Sequence, residues 1–453
     1  MKKSLVDLKQ NPFYTHYIYY PFGTGLIYNA FTPLHGVFSI PFQLLFGLTT
    51  AHNIVLILSL IAAAFGTFFL CYELCRDKKY SIIGSILFAF SPFVMERIQM
   101  HINLSDVFPI VWFVLFFVKA HKKPLLNFIL FSSVFLFFIF LTDYYYLFYT
   151  LLFIGIYIIF FRTRALFFTT CKILTIFLIV TSPFLIMFIH DYQNLNFYEI
   201  YQDARALSPD LFRFVIPSWQ NQHLLRWYEL IYNKVGRNID GETYYFGLIP
   251  LGFLIFSVIK LFRKNIWIKF FTFVFFIFFI FALGPTLKIG GENTNLLLPF
   301  SLLQQTPMLR ELRVSGRFII YCYLALAVIV SITLKKLLYK SQVLWKRIGI
   351  LFVFLVVLIE YWPGTIQLEK FEDYPVYQTI KDDKDNFSVL EIPIPFWSDY
   401  NRIMYFQTIH EKPIIGGMVS RVPKSIVELY HQDALLDNIV FLEFQDSTKN
   451  EIR

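Results

Sequence analysis

Ten apolar runs separated by short loops fill most of the chain between residues 53 and 362. Their approximate limits are 53–75, 80–95, 104–119, 124–142, 144–161, 166–189, 245–262, 267–283, 317–334 and 348–362. A helix needs about 20 apolar residues to cross a bilayer, and most of the runs come close to that length. Alternate loops carry the cations. One set holds Arg76, Lys78 and Lys79, then Lys119, Lys122 and Lys123, then Arg162 and Arg164. It continues with Lys260, Arg263, Lys264 and Lys269, and ends with Lys335, Lys336, Lys340, Lys346 and Arg347. The positive-inside rule places that set in the cytoplasm. The opposite loops are then external: Glu96–Asn103, the Asp143–Tyr146 turn, 190–244, 284–316, and everything after Trp362.

Composition closes off the alternatives. The 453 residues are 57% hydrophobic, include 56 Phe, and are only 16% charged, against about 25% charged in an ordinary soluble domain. A soluble fold cannot hide that much apolar surface, and a disordered chain would carry far less of it. The net charge of +9 follows from the cytoplasmic loops and does not point to nucleic acid, because no basic stripe alternates with a stacking platform. Cys71, Cys75, Cys171 and Cys322 all fall inside apolar runs. They form neither a disulfide framework nor a metal cluster with histidine. No metal or other cofactor is indicated. The expected fold class is therefore an all-α polytopic protein of the cell membrane, multi-pass.

The two ends read differently. Ten spans leave residues 1–52 outside, as an external loop with an interfacial helix over 33–48. Met1–Gln10 is polar and holds no apolar leader. By parity, the sequence reads as an N-terminally truncated chain lacking a first span. The transmembrane domain covers 53–362. From about Glu369 charges become frequent. Asp373–Lys381 reads as a helix, and Ser388–Ile392 as a buried strand stopped by Pro393 and Pro395. Residues 363–453 thus read as a small external α/β domain, unfinished at Arg453.

Four polar clusters sit on the external side. Arg310, Arg313 and Arg317 are spaced i, i+3, i+7, one face of a helix. Planar guanidinium forks suit phosphate, so these three are candidate binding residues for a phosphate or pyrophosphate. The plain alternative is a salt-bridge cluster with Glu311. Glu96, Arg97, Gln99, His101, Asn103 and Asp106 crowd one short loop, which would suit a sugar's hydroxyls or an acceptor; otherwise it is a solvated loop with Asn103 as a helix cap. Asp143 lies flush with the membrane beside Tyr144, Tyr145 and Tyr146, whose rings fit an aromatic belt. Asp240-Gly241-Glu242 places two carboxylates in a turn, with a divalent cation or a plain polar turn as its readings. The candidate acids are Glu96, Asp143 and Glu242. No chain of acids and histidines crosses the mid-membrane positions, as ion-coupled transport would need.

Several phrases, in order along nearly the whole chain, resemble one family. They are Tyr20-Pro21-Phe22-Gly23, the Gln99/His101/Asn103 loop after Phe90-Ser91-Pro92, and Glu242, Tyr245 and Gly247 leading to Pro250-Leu251. Leu283-Gly284-Pro285, Leu312-Arg313-Val314-Ser315-Gly316-Arg317-Phe318, Pro375-Val376-Tyr377 and Val389-Leu390-Glu391-Ile392-Pro393 complete the set. The chain resembles the GT-C type membrane glycosyltransferases, in their mannosyltransferase/arabinosyltransferase-like prokaryotic group. The resemblance implies a polyprenyl-phosphate sugar donor and a glycan, lipid or protein acceptor. It also implies an acid in the first external loop, which no residue here matches: residues 1–19 hold only Asp7. The expected activity is hexosyl or pentosyl transfer, with Arg313 and Arg317 stabilising the departing phosphate and Arg310 assisting. The competing expectation is a non-catalytic protein that binds or moves a lipid-linked glycan.

Overall fold

The computed structural model of the protein describes residues 1–29, 31–194, 204–217, 221, 224, 243–306, 309, 312–364, 374–392 and 400–432. The chain divides into two compact units.

The larger unit is 32–180 with 202–367. Its first helices are α1 (Pro33–Phe46), α2 (Leu48–Cys75), α3 (Lys78–Ala89), α4 (Pro92–Met100) and α5 (Ile102–Ser105). Then come α6 (Phe108–Lys122), α7 (Leu126–Thr142), α8 (Tyr144–Phe161) and the start of α9 (Arg164–Asn194). After the long loop follow α10 (Leu248–Lys260) and α11 (Ile266–Ala282). The last elements are a hairpin of β1 (Thr286–Ile289) and β2 (Glu292–Leu297), then α12 (Phe300–Gln304), α13 (Ile319–Leu338) and α14 (Val343–Glu360).

Local chemistry sets the helix starts. Asp77 accepts from Lys79 N–H, Asp143 from Tyr146 N–H, and Asn265 from Trp267 and Ile268 N–H. Each fills one of the donors that a helix start leaves without an intrahelical partner. Ser91-Pro92 separates α3 from α4, and the two helices bend by 41° there. Pro92 is tolerated because it opens the new helix, where its missing N–H is not needed.

Every expected apolar run falls on one of these helices or on a broken pair. Among the described residues five helices are long and apolar enough to cross a membrane, and six if the bent α3–α4 pair is one span. The segments over α1, α7, α10 and α11 are shorter apolar helices. The chain is thus a polytopic helical membrane protein. The span containing α13 is 94% buried and that of α9 only 17%, so α13 is central and α9 turns apolar side chains such as Ile179 and Ile186 outward. In lipid that exposure carries no penalty.

The basic loops meet at one end of the unit. Lys122 pairs with Glu73 at 2.8 Å and lies 5.3 Å over the Trp267 ring, while Lys335 donates to the Cys75 carbonyl at 2.6 Å. That grouping is what alternating loop charge requires of an up-and-down bundle.

The smaller unit is 1–31, 181–201 and 368–453. Tyr19 N–H donates to the Gly416 carbonyl and Tyr20 N–H to that of Ile414, both at 3.1 Å; Ile414 N–H donates back to Tyr17 at 2.9 Å. On its other side Ile414 bridges Val389 in parallel. Residues 17–20, 414–416 and 389 therefore lie side by side. They cover a core of Ile18, Tyr19, Ile414, Val422, Ile426 and Val427. Around it stand α15 (Pro375–Asp382), α16 (Tyr400–His410) and α17 (Lys424–Gln432). The expected strand at 388–392 is represented by the Val389 bridge alone among the described residues.

Candidate functional site

The polar groups of the larger unit collect at the end opposite the basic loops, around the entry to α13. Asp143 is 8% exposed, between α7 and α8. One carboxylate oxygen caps α8 through Tyr146 N–H at 3.1 Å, and the other accepts from the Asn103 amide at 2.6 Å. The Arg317 guanidinium lies 5.4 Å over the Tyr145 ring and acts electrostatically on Asp143. Burial raises the Asp143 carboxyl above its ordinary range, while Arg317, Asn103 and the backbone N–H groups pull it back. Tyr146 holds the neighbouring turn in place by donating to the Leu104 carbonyl at 2.6 Å. Three stretches far apart in sequence thus bring Asn103, Asp143 and Arg317 together.

The path of residues 312–318 explains where Arg317 points. The spacing predicts an α-helical face for Arg310, Arg313 and Arg317, and the structure corrects this. Residues 312–314 are not helical, Ser315–Phe318 is a single 3₁₀ turn, and α13 begins only at Ile319. The cause is close packing. A Cβ on Gly316 would stand 2.1 Å from the Tyr244 ring. Ser315 donates to Ser208 at 3.4 Å, and a Cβ on Gly284, at φ +90°, would meet that same Ser208 hydroxyl at 2.0 Å. The segment is pinned from two sides and cannot wind into a regular helix. Arg313 and Arg317 are both half-buried.

The Glu96 cluster is not a solvated loop. Residues 92–100 form α4, and Glu96 and Arg97 are fully buried. Glu96 accepts from Thr243 N–H at 2.5 Å and lies 3.6 Å from the Arg97 guanidinium. Arg97 meets His101 Nδ1 at 3.1 Å and the Phe93 ring at 5.4 Å. This group joins α4 to the buried 243–247 segment, whose Tyr245 carbonyl accepts from Tyr323 OH. Gln99 is half-buried, and its amide nitrogen has no hydrogen-bond partner among the described residues. Glu242 and Arg310, with Asp240 and Glu311, lie outside the described residues.

The sequence reading missed two features. Glu360, at the end of α14, accepts from Leu248 and Ile249 N–H at 2.8 and 3.3 Å and from Tyr245 OH at 3.1 Å. It is a cap supplied by another helix. Gly247 (φ +87°) leads into that turn. The second is His35 on α1, whose Nδ1 lies 3.2 Å from Asp106 Oδ2. A lone histidine in an apolar run gave no signal of it. Among the described residues no group of three or more His, Cys, Asp or Glu is placed to hold a metal ion.

Comparison with known families places the chain. Residues 7–359 match the profile described as "Domain of unknown function (DUF6311)". The chain belongs to the DUF6311 family. Arg317, Asp143, Asn103, Glu96 and His35 all fall within the DUF6311 match. No curated protein matches the chain. Among solved structures it is similar to the archaeal oligosaccharyltransferase AglB from Archaeoglobus fulgidus in complex with an inhibitory peptide and a dolichol-phosphate, at 11% identity and a TM-score of 0.46. That match covers 92% of this chain and 59% of the other, so the chain spans about three fifths of that structure's length.

Proposed function

We propose that this protein is a glycosyltransferase of the cell membrane. It takes a sugar from a polyprenyl-phosphate donor and delivers it to a glycan, lipid or protein acceptor at the external face. In this reading all ten apolar runs cross the bilayer, and residues 363–453 are external. The observation that carries the reading is the convergence of Arg317, Asp143 and Asn103 at the end of the bundle away from the basic loops.

The chemistry suits that geometry. When the sugar leaves its carrier, negative charge builds on the phosphate oxygens. Arg317 is a planar fork already oriented by the Tyr145 ring, so it stabilises that charge with little reorganisation. Arg313 stands four residues before it on the same pinned segment. Asn103 contributes an amide at the scale of a sugar hydroxyl. α8 exposes much of its apolar surface, so a prenyl tail can remain in lipid along this helix while its phosphate reaches Arg317.

The test is reconstitution of the full chain in liposomes with polyprenyl-phosphate [14C]mannose or [14C]arabinose. The reading expects labelled product from at least one donor and loss of it in Arg317→Ala. Saturable donor binding without turnover would favour the carrier alternative. Neither binding nor turnover would overturn both readings.

A further inference from the structure

A buried His–Asp pair includes Asp106, which follows Asn103 in the chain, and the reading above gives it no role. Asp106 follows α5, three residues after Asn103, and is 2% exposed. His35, in the first turn of α1, is 6% exposed, and its ring lies 5.2 Å from the half-buried His52 ring on α2. Asp106 Oδ2 and His35 Nδ1 face each other at 3.2 Å. Asp106 Oδ1 and His35 Nε2 are buried with no hydrogen-bond partner among the described residues. Apolar residues would fill this space at less cost than buried polar atoms left unsatisfied. Such atoms point to a use.

The arrangement fixes the tautomer. A carboxylate accepts, so the neutral imidazole carries its proton on Nδ1 and presents a lone pair on Nε2. That is the ground state of a general base. The electrostatic surroundings are simple. α1 packs on α2 and α7. α7 has no ionisable side chain, and α2 carries only His52 at this end, with Cys71, Tyr72, Glu73 and Cys75 at the other. α5 adds none.

Resting on the transferase reading, we propose that His35 is the base that receives the acceptor's proton and that Asp106 is its positioning residue. The acceptor hydroxyl gives its proton to His35 Nε2. Its oxygen pair bonds to the anomeric carbon, and the bond from that carbon to the phosphate oxygen breaks, with the pair leaving on polyprenyl phosphate. Asp106 stabilises the imidazolium, and His52 passes the proton towards water. Nε2 is covered by protein, so the acceptor displaces side chains as it enters, which also keeps bulk water from the reacting carbon.

The test uses the full chain in liposomes with the same labelled donors and measures donor binding, kcat and donor KM. His35→Gln is expected to lower turnover about 100-fold or more with donor binding within about threefold of wild type. Asp106→Asn offers the Nδ1 proton a weaker, uncharged acceptor, so kcat should fall about 10-fold or more with the donor KM within about threefold, and Asp106→Glu should recover part of the loss. Normal turnover in a folded His35→Gln overturns the base role alone. If His35→Gln does not fold, Asp106→Asn decides: an unchanged kcat overturns the pairing. A wild-type protein that turns over no donor overturns the transferase reading and the base role with it.

Discussion

Asn103 and Asp143 are joined by a 2.6 Å hydrogen bond between groups forty residues apart in sequence. It ties the turn before α6 to the start of α8, and it fixes one carboxylate oxygen of the acid that faces Arg317. Asp143→Asn keeps the size and the α8 cap but removes the charge. In the proposed site Arg317 then loses its anionic neighbour, so polyprenyl phosphate should bind as tightly as before or more tightly. Arg317→Ala should weaken it by about 10-fold or more, the scale of a lost hydrogen bond to a charged group. Binding of labelled polyprenyl phosphate to the two variants checks the pair, and equal affinity in Arg317→Ala and wild type would remove Arg317 from the site.

Gly316 is a packing requirement and not a flexible point. An added methyl would overlap Tyr244 at 2.1 Å, and both partners are buried. Gly316→Ala should cost about 1–3 kcal/mol by overpacking. Gly155→Ala, on α8 with nothing within 4 Å of the new methyl, should be neutral or slightly stabilising because alanine favours helix. Thermal unfolding of the two variants in detergent gives the comparison.

Glu360 holds the start of α10 from the end of α14. Removing the carboxylate leaves the part-buried Leu248 and Ile249 N–H groups and the buried Tyr245 hydroxyl without this acceptor, at about 1–3 kcal/mol. Glu360→Ala should lower the unfolding midpoint, and Glu360→Gln, which still offers one acceptor oxygen, should recover part of the loss.

The smaller unit should weaken in acid. His410 is fully buried and accepts from Lys412 N–H at 3.1 Å, which requires a neutral ring. Burial, and then Lys412 beside it, hold the imidazole below its ordinary 6.5. The folded group binds a proton less readily than the unfolded one, so stability is complete above 6.5 and falls as pH drops through the folded value. Limited proteolysis of the full chain at pH 7.5 and 5.5 should show more cleavage within 374–432 at the lower pH. His410→Phe should flatten the difference.

The helices were legible because crossing a bilayer imposes a length and a composition that no local detail can hide. The caps were not read: Asp77 and Asp143 cap α3 and α8, whereas Asn103, expected as a helix cap, donates to Asp143 instead. What the sequence concealed was long-range. Glu96 read as part of a polar loop because its partner, Thr243, is 147 residues away. Arg313 and Arg317 have helical spacing, but Gly316 and Ser315 are drawn against Tyr244 and Ser208, and packing overrode periodicity. His35 had no charged neighbour in sequence to mark it, and only the fold brings Asp106 beside it.

The strand-like contact of Tyr17–Tyr20 with Ile414–Gly416 sets an order of events during synthesis. Roughly 400 residues separate the two partners, and at about 5–20 residues per second the first waits some 20–80 s for the second. Through that interval Ile18 and Tyr19 have no core to enter, while the helices of the larger unit emerge and settle. The smaller unit can therefore close only after the helices of the larger unit have emerged, and its closure reports that everything between has already been made.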